Sequence, residues 1–338
     1  MKKEATHDNK VAERIIPVAF AVNDNYLKYA SVTIASILHY QKRDERDSFY
    51  ILHRDICQKH QTVLKDWIAA QGAFVEFINV REKIDSRLLY VSGYVTEETY
   101  YRILIPELLP EWEKIIYMDC DIICLSNLGD ILNKTKFDED TWLAGTMASR
   151  NERRNDYCME HLGISSDTYI FAGMLIMNVR KLNETRFREK CLDFLKEKKW
   201  LKQHDMDLIN AVGYGHIQIL DQYWHTTVGA IAYNAGISAE LLKKKDINCC
   251  MLHYATLKPW TTELIEVTLP FWQYVFCTPF STEISEAYRE ISDTKKHFSD
   301  MCRRNEISLA FLIDLFVVAL KERLKREKSK NRNTEKIS

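Results

Sequence analysis

Short, strongly apolar stretches alternate with amphipathic stretches along most of the chain. Residues 15–23 are apolar at nearly every position, as expected of a strand that is buried on both faces of a sheet. Apolar residues then recur at helical spacing over residues 26–40. The same alternation predicts strands at residues 48–54 and 73–79, with a helix at residues 57–70 between them. Strands that alternate with helices predict parallel βαβ units with right-handed crossovers.

The alternation continues through the second half of the chain. A helix is predicted at residues 99–109, and it leads into a short apolar strand at residues 115–118. Further strands are predicted at residues 143–148, 170–179 and 249–254, and further helices at residues 181–198 and 205–212. Because no repeat or low-complexity linker interrupts this pattern, we expect a polar tail at residues 1–14 and one α/β domain over residues 15–265.

Composition and charge narrow the possible classes of function. The 338 residues are 46% apolar and 11% aromatic, which is enough for one large domain with an appendage or for two medium domains. A net charge of −1 gives no overall attraction to nucleic acid, so no nucleic-acid partner is expected. The first ten residues are polar, no segment reaches the roughly 18–20 apolar residues of a membrane span, and the nine cysteines form no C-x-x-C pair. These features predict a protein of the reducing cytosol.

The predicted strand at residues 115–118 ends on two aspartates, Asp119 and Asp121. In an extended segment, residues i and i+2 point to the same side, so both carboxylates can converge on one point. Two clustered carboxylates repel each other unless a cation lies between them, and oxygen ligands favour Mn²⁺ or Mg²⁺. The D-x-D pattern by itself is equally consistent with two solvated aspartates in a turn.

Polar residues also follow two other predicted strands. Asn23, Asp24 and Asn25 lie between a strand and a helix, and His253 lies near the end of a later strand. Ligands collect at the carboxyl ends of the strands in open α/β sheets. The free N–H groups of the helix could hold an anion or the carbonyls of a uracil-like base, or the three polar residues could simply cap the helix. Neither G-x-G-x-x-G nor a P-loop is present, so dinucleotide and P-loop sites lack their fingerprints.

Seven segments with these features occur in a fixed order along residues 15–280. They are A-F-A-V-N-D-N-Y at 19–26, T-Y-Y-R at 99–102, I-Y-M-D-C-D at 116–121, F-A-G-M-L-I-M-N at 171–178, D-M-D-L-I-N at 205–210, H-Y-A-T-L-K-P-W at 253–260 and F-W-Q-Y-V-F-C-T-P-F at 271–280. Together they resemble glycosyltransferase family 8, the retaining nucleotide-sugar transferases with a GT-A fold, and the bacterial lipopolysaccharide galactosyl- and glucosyltransferases look most similar. The resemblance implies an α/β, Rossmann-like GT-A domain that binds a nucleotide sugar, followed by a helical C-terminal extension.

The resemblance assigns expected roles to individual residues. The residues expected to bind the donor nucleotide and its metal ion are Ala21, Asn23, Asn25, Tyr26, Arg102, Asp119, Cys120, Asp121, His253 and Lys258. Among them, Asp119, Asp121 and His253 match the protein ligands of Mn²⁺ or Mg²⁺ in the family. Lys258 matches a lysine that contacts the diphosphate, so the metal and Lys258 together are expected to stabilise the charge of the departing UDP.

Arg102 and Asp205 are the expected catalytic residues. Arg102 matches an arginine that contacts the donor sugar and its phosphates, and Asp205 matches an acidic position that we expect to bind sugar hydroxyls. Met206 stands where the family usually has a glutamine near the anomeric carbon, and a methionine cannot serve as the nucleophile of a double displacement. We therefore favour a front-face mechanism in which the leaving phosphate helps to deprotonate the acceptor.

Other departures from the family pattern also fall on the sugar and diphosphate side of the site. Phe171 stands where an asparagine normally contacts the sugar, and Ala148 stands where an aspartate is expected. The segment from His253 to Lys258 is one residue shorter than usual and lacks its glycine. Each lost sugar contact costs about 1–3 kcal/mol if its partner stays buried and unpaired. These departures predict a donor sugar with a different hydroxyl pattern or an apolar substituent, or else weakened catalysis.

The C-terminal region, residues 266–338, is predicted to be helical and basic. Residues 308–320 are apolar except for Ser308 and Asp314, and K-E-R-L-K-R-E-K-S-K follows with six basic and two acidic residues. An apolar helix that adjoins a basic one suits the surface of an anionic membrane, which predicts a cytoplasmic protein held peripherally at the inner face of the cell membrane. Alternatively, the helix packs on the catalytic domain and its basic end is solvated.

These observations predict a metal-dependent, retaining transferase that moves a hexose from a UDP-sugar to a glycan or glycolipid acceptor. Lipopolysaccharide or another cell-surface glycan is the expected acceptor. Two alternatives remain open: a nucleotide-sugar-binding protein with weak or no transfer activity, and a transferase that glycosylates protein, including itself. The sequence does not specify the acceptor, because acceptor-binding loops vary most.

Overall fold

The computed structural model describes residues 14–289, except residues 94, 149–151, 235, 237–246, 256 and 263–264. Within these residues the strands are β1 (Arg14–Ala21), β2 (Glu45–His53), β3 (Phe74–Asn79), β4 (Lys114–Met118), β5 (Ile122–Cys124), β6 (Leu143–Thr146), β7 (Met174–Asn178), β8 (Ile217–Leu220), β9 (Thr226–Thr227) and β10 (Met251–His253). The α-helices are α1 (Asp24–His39), α2 (Gln58–Ala70), α3 (Ile105–Leu108), α4 (Leu128–Lys134), α5 (Glu152–Tyr157), α6 (Val179–Glu184), α7 (Phe187–Glu197), α8 (Asp205–Val212), α9 (Val228–Asn234), α10 (Ile265–Val275) and α11 (Ser281–Arg289).

Seven of these strands form a central sheet in the order β3-β2-β1-β4-β7-β6-β8. β1 pairs in parallel with both β2 and β4, and β6 pairs in parallel with β8. β7 is antiparallel to both of its neighbours, β4 and β6. The α/β fold with its parallel-rich sheet confirms the predicted fold class, and the predicted parallel βαβ units hold for β1, β2 and β3, whereas β7 runs antiparallel.

The central strands of this sheet are mostly apolar because both of their faces are covered. In β2, Phe49 and Ile51 belong to one buried cluster, and Tyr50 and Leu52 belong to another on the opposite face. The first cluster is completed by apolar residues of α1, α2, α4, α10 and α11, and the second by those of α3, α6, α7 and α8. A sheet between two layers of helices exposes its strand ends, which is where polar groups can collect.

Two predicted helices differ from the structure in ways that local backbone geometry explains. The predicted helix at residues 99–109 is a 3-10 helix, Glu97–Leu104, followed by the single turn of α3 with Pro106 in its first turn. The predicted helix at residues 181–198 is divided into α6 and α7 by Arg186, whose φ of 55° lies in the left-handed region. A non-glycine residue in that conformation cannot continue a right-handed helix.

The predicted strand at residues 170–179 is shorter in the structure, where β7 begins at Met174. Before it, Ile170 makes only an isolated antiparallel bridge to Met147. The irregular residues 171–173 between that bridge and β7 therefore lie at the end of the sheet where β4 finishes, since Met118 of β4 pairs with Met174.

A second, smaller sheet has the order β5-β10-β9. It begins directly after the aspartate segment, because β5 starts at Ile122. The helices α10 and α11 also join the main fold, since Phe271, Trp272 and Ile284 are buried in the same cluster as α1. None of the helices within the described residues has the length and apolarity to cross a membrane. Residues 308–320 and the basic stretch after them lie outside the described residues.

Candidate active site

Asp119, Asp121 and His253 lie together at the carboxyl end of β4. The chain leaves β4 at Met118, turns through both aspartates and enters β5, and β10 pairs antiparallel with β5 so that His253 lies opposite Ile122. The Nε2 atom of His253 is 3.2 Å from a carboxylate oxygen of Asp121 and 3.8 Å from one of Asp119. One ligand atom from each of the three residues lies within 4.8 Å of the other two.

Gly173 closes this cluster from the side of β7. The backbone N–H of Asp119 donates a hydrogen bond to the carbonyl oxygen of Gly173, at 2.8 Å. A Cβ atom on Gly173 would lie 2.4 Å from Cε1 of His253 and 2.8 Å from Oδ2 of Asp119. Because such distances are far below van der Waals contact, the ligand cluster requires a residue without a side chain at this position.

The donor set fits a divalent cation. Two carboxylates and one imidazole nitrogen suit Mn²⁺ well, and Mg²⁺ shares the preference for carboxylate oxygen. The ammonium group of Lys258 contacts Oδ2 of Asp121. Burial alone would raise the pKa of Asp121, but Lys258 and His253, which both lie against its carboxylate, hold that pKa well below its ordinary value. The Asp121 carboxylate is therefore ionised and available as a ligand at neutral pH.

Arg102 connects the aspartate cluster to Asp205. Its buried guanidinium lies 3.0 Å from an oxygen of Asp119 and 3.1 Å from one of Asp205, and it also donates to the carbonyl oxygen of Ala172. The guanidinium carbon lies 4.1 Å from the ring centre of Tyr117. Burial opposes the charge, but Asp205, Tyr117 and Asp119 outweigh it and raise the pKa of Arg102 above its ordinary value, so this arginine remains a cation.

Asp205 is held in an ion pair at the start of α8. Besides Arg102, its carboxylate accepts a hydrogen bond from the hydroxyl of Thr99. Burial raises the pKa of Asp205 to about 6, against the lowering effect of Arg102 and Thr99. The carboxylate is thus committed to protein partners, which leaves it poorly placed to act as a free nucleophile.

These groups line a cavity of about 650 Å³, a size typical of small-molecule sites. Of the eleven predicted catalytic, donor-binding and metal-binding residues, ten line it: Ala21, Asn23, Tyr26, Arg102, Asp119, Cys120, Asp121, Asp205, His253 and Lys258. Asn25 is not among the lining residues, because it lies on the exposed side of the first turn of α1.

The residues that depart from the family pattern divide into two groups. Phe171 and Met206 line the cavity, so an apolar ring and a thioether replace polar groups in its wall. Ala148 is 2% exposed and does not line the cavity, and its N–H donates to the carbonyl oxygen of Tyr169. Position 148, where a carboxylate was expected, is therefore a buried position outside the lining of the cavity.

Asn23 serves the local fold as well as lining the cavity. Its side-chain oxygen accepts the N–H of Tyr26 and caps α1, as the capping interpretation predicted. Its amide nitrogen lies 3.5 Å from Glu98, which places Glu98 in the wall of the cavity opposite α1. One residue therefore joins the helix start to the 3-10 helix that carries Arg102.

Several residues of the site carry no signal of their own in the sequence. Glu98, Gly173 and Thr227 line the cavity, and His225 lies immediately behind it, in contact with His253. Thr99 and Gly173 belong to the family segments at residues 99–102 and 171–178, so the sequence could have identified both as site residues. His225 lies outside all seven motifs, and only the folded chain brings it to the site.

Comparison with known proteins places the chain among glycosyltransferases. A family model described as "Glycosyl transferase family 8" matches residues 17–263. The "General stress protein A" of Bacillus subtilis is 23% identical over 265 residues, which cover 74% of this chain and 89% of that protein. The "Lipopolysaccharide 1,2-glucosyltransferase" of Escherichia coli is 24% identical over 213 residues, which cover 62% of this chain and 61% of that protein.

A solved structure shows the same fold. The galactosyltransferase LgtC, in complex with donor and acceptor sugar analogues, superposes with a TM-score of 0.68 at 20% identity. The superposition covers 78% of this chain and 96% of LgtC. At this level of identity the likeness shows the GT-A fold, and residue roles must rest on the geometry of the site itself.

Proposed function

Because the chain belongs to glycosyltransferase family 8, we propose that it transfers a hexose from a UDP-sugar to a glycan acceptor with retention at the anomeric carbon. The observation that carries the proposal is the convergence of Asp119, Asp121 and His253 with two cationic side chains, Arg102 and Lys258, in one cavity. A nucleoside diphosphate carries negative charge that a metal ion held by these three ligands and the ammonium group of Lys258 would neutralise.

Different residues of this chain bind different parts of the donor. Asn23 and Tyr26 form the wall at the start of α1, where the helix N-terminus offers polar groups to the nucleoside. Lys258 brings an ammonium group next to Asp121 and can turn toward a diphosphate oxygen. A bound Mn²⁺ or Mg²⁺, held by Asp119, Asp121 and His253, would supply a Lewis acid that stabilises the departing UDP.

The environment of Asp205 supports a front-face reaction. A double displacement requires a free carboxylate on the far face of the sugar, whereas Asp205 is paired with Arg102 and accepts from Thr99. Its neighbour Met206 lines the cavity and is not a nucleophile of this kind. We therefore assign Asp205 to binding sugar hydroxyls, and Arg102 to holding Asp119 and Asp205 in place beside the reacting groups.

The acceptor and the location follow as further parts of the proposal. A relative named for lipopolysaccharide glucosyl transfer supports a lipopolysaccharide core or another cell-surface glycan as acceptor. The apolar and basic C-terminal residues within 266–338 support attachment to an anionic membrane at the cytoplasmic face. Removal of residues 305–338 should then shift the protein from the membrane fraction, and unchanged fractionation would contradict the attachment.

Release of UDP from a panel of UDP-sugars tests the proposed activity. Metal-dependent release from one donor by the wild type, abolished in Asp121→Ala, would support a transferase and identify its sugar. Asp85→Ala is the matched control and should retain full activity, since the carboxylate of Asp85 pairs locally with Arg87 and does not line the cavity. Failure to bind UDP at all would refute the proposal.

A second candidate function is nucleotide-sugar binding without transfer. The specific observation in its favour is that Phe171 and Met206, both apolar, line the cavity where the family usually has polar groups. Tight UDP binding with no turnover of any donor in the same panel would support this function over the transferase. An increase in the protein's own mass by one hexose would instead support self-glycosylation.

A further inference from the structure

Two buried histidines form a hydrogen-bonded pair behind the proposed metal site. Nδ1 of His253 lies 3.0 Å from Nε2 of His225, while Nε2 of His253 faces the carboxylates. Nδ1 of His225 in turn lies 2.8 Å from the hydroxyl oxygen of Thr146, the last residue of β6. His225 is 0% exposed, and the whole chain of three side chains is enclosed by the protein.

The direction of each hydrogen bond in the series from His253 through His225 to Thr146 follows from the proposed role of His253. A neutral imidazole carries one N–H and one lone pair, and a histidine that binds a metal through Nε2 must carry its proton on Nδ1. The Nδ1–H of His253 then needs an acceptor, and the only atom paired with it among the described residues is Nε2 of His225. His225 accepts there, so its own proton lies on Nδ1 and is donated to Thr146.

The surroundings of His225 leave it no alternative partner among the described residues. The ring of Phe171 packs against it edge to face, with ring centres 5.9 Å apart. His225 immediately precedes β9, which pairs in parallel with β10, the strand that ends at His253. The small sheet therefore fixes the separation of the two histidines.

From this geometry we infer that His225 is a positioning residue, which fixes the tautomer and ring orientation of His253 so that its Nε2 lone pair would be directed at a metal ion bound with Asp119 and Asp121. The inference rests on the proposed function, in which His253 is a metal ligand. Groups that orient a ligating histidine in this way commonly change metal affinity when removed. Here the acceptor is a second, neutral imidazole, and Thr146 orients it in turn.

Binding of Mn²⁺ to the UDP complex, followed by electron paramagnetic resonance, is the first test. His225→Phe fills the same space without an acceptor and should weaken Mn²⁺ binding about 10- to 100-fold. His225→Gln keeps an acceptor oxygen and should restore most of the affinity. Thr146→Val should weaken binding more than Thr146→Ser, which keeps the hydroxyl.

Long-range ¹H–¹⁵N spectra of the histidine rings provide a second readout in the complex with diamagnetic Mg²⁺ and UDP. The wild type should show His253 with its proton on Nδ1, and His225→Phe should show a mixture of tautomers. His53→Phe is the matched control, because His53 is also buried but bonds the N–H of Ile56 away from the cavity. That variant should leave both the His253 tautomer and Mn²⁺ affinity unchanged.

The outcomes separate this inference from the proposed function. Wild-type protein that binds no Mn²⁺ with UDP would reject the metal site and the positioning role together. If the wild type binds Mn²⁺ and a folded His225→Phe variant binds it equally tightly, the positioning role alone is rejected. A His253 proton found on Nε2 in the wild-type complex with Mg²⁺ and UDP would also overturn it.

Discussion

Replacement of Gly173 by alanine adds a single methyl group to the most crowded point of the site. The φ angle of Gly173 is not in the left-handed region, so alanine does not strain the backbone and the effect is steric. The new Cβ would lie 2.4 Å from Cε1 of His253 and 2.8 Å from Oδ2 of Asp119. Since carbon atoms in contact are about 3.5–4.0 Å apart, the imidazole must move by about 1 Å.

Neither neighbour can move that far without losing a partner. His253 is held from behind by His225, and Asp119 is held by Arg102 and the hydroxyl of Tyr117. Overpacking of this kind costs about 1–3 kcal/mol of stability. A displacement of about 1 Å in a catalytic group can reduce the rate about 100-fold, so we expect Gly173→Ala to lose affinity for Mn²⁺ and about two orders of magnitude in turnover.

Gly145→Ala provides the matched control. Gly145 is also a buried glycine, in the neighbouring strand β6, and its Cβ would lie 2.8 Å from the terminal methyl carbon of Ile170. That side chain is flexible and lies outside the cavity, so the control should lose stability and retain Mn²⁺ affinity. Urea denaturation, Mn²⁺ titration of the UDP complex and UDP release measure the three quantities on both variants.

The comparison between the two variants decides the outcome. A folded Gly173→Ala that binds Mn²⁺ as tightly as Gly145→Ala would refute the steric reasoning. It would mean that His253 and Asp119 can separate without losing the metal, and that their close packing against β7 has no bearing on the site.

Two further predictions concern buried charges. Burial and the charge of Glu45 raise the pKa of Asp47 from 3.8 to about 7, and its Oδ2 has no hydrogen-bond partner among the described residues. The folded state therefore binds the Asp47 proton more tightly than the unfolded state, so this group's contribution to stability is lost as pH rises from about 4 to 7, by up to about 4 kcal/mol. Asp47→Asn should raise the free energy of unfolding at pH 8 by about 2–4 kcal/mol and change it little at pH 4. Urea denaturation at both pH values measures this difference. An equal gain in stability at the two pH values would contradict the prediction. Arg102→Lys should lower the free energy of unfolding in urea denaturation by about 3–5 kcal/mol, because one ammonium cannot pair with both the buried Asp205 and the partly exposed Asp119. Arg87→Lys at an exposed pair should change it little.

The sequence predicts the fold and the convergence at β4 because their signals are local. Apolar runs separated by helical periodicity predict a covered sheet, and the i, i+2 spacing of Asp119 and Asp121 predicts carboxylates that share a direction. The structure places both beside His253, as a metal cluster requires. The covered sheet and the paired aspartates can be predicted because each depends only on the residue order within one or two neighbouring elements.

Other features depend on tertiary contacts that leave no local pattern. Antiparallel strands with one solvated face show alternating apolar and polar residues, but a strand buried on both faces does not. Nothing in residues 174–178 therefore indicates that β7 runs antiparallel to its neighbours. Arg186 interrupts the predicted helix because its backbone adopts a left-handed conformation, which is a rare choice for arginine. His225 is a single histidine without a motif, and its meaning arises only from its contact with His253.

The reversed direction of β7 has a consequence for how the chain reaches the correct fold. A slip of two residues between β4 and β7 would keep each apolar side chain on its own face of the sheet, yet it would carry Gly173 about 7 Å away from Asp119. Hydrophobic burial hardly distinguishes these two alignments. The polar contacts do, because the Asp119 N–H bonds Gly173, and Arg102 bonds Ala172 in the next position. The polar groups that hold the site thus also determine the register in which two apolar strands pair.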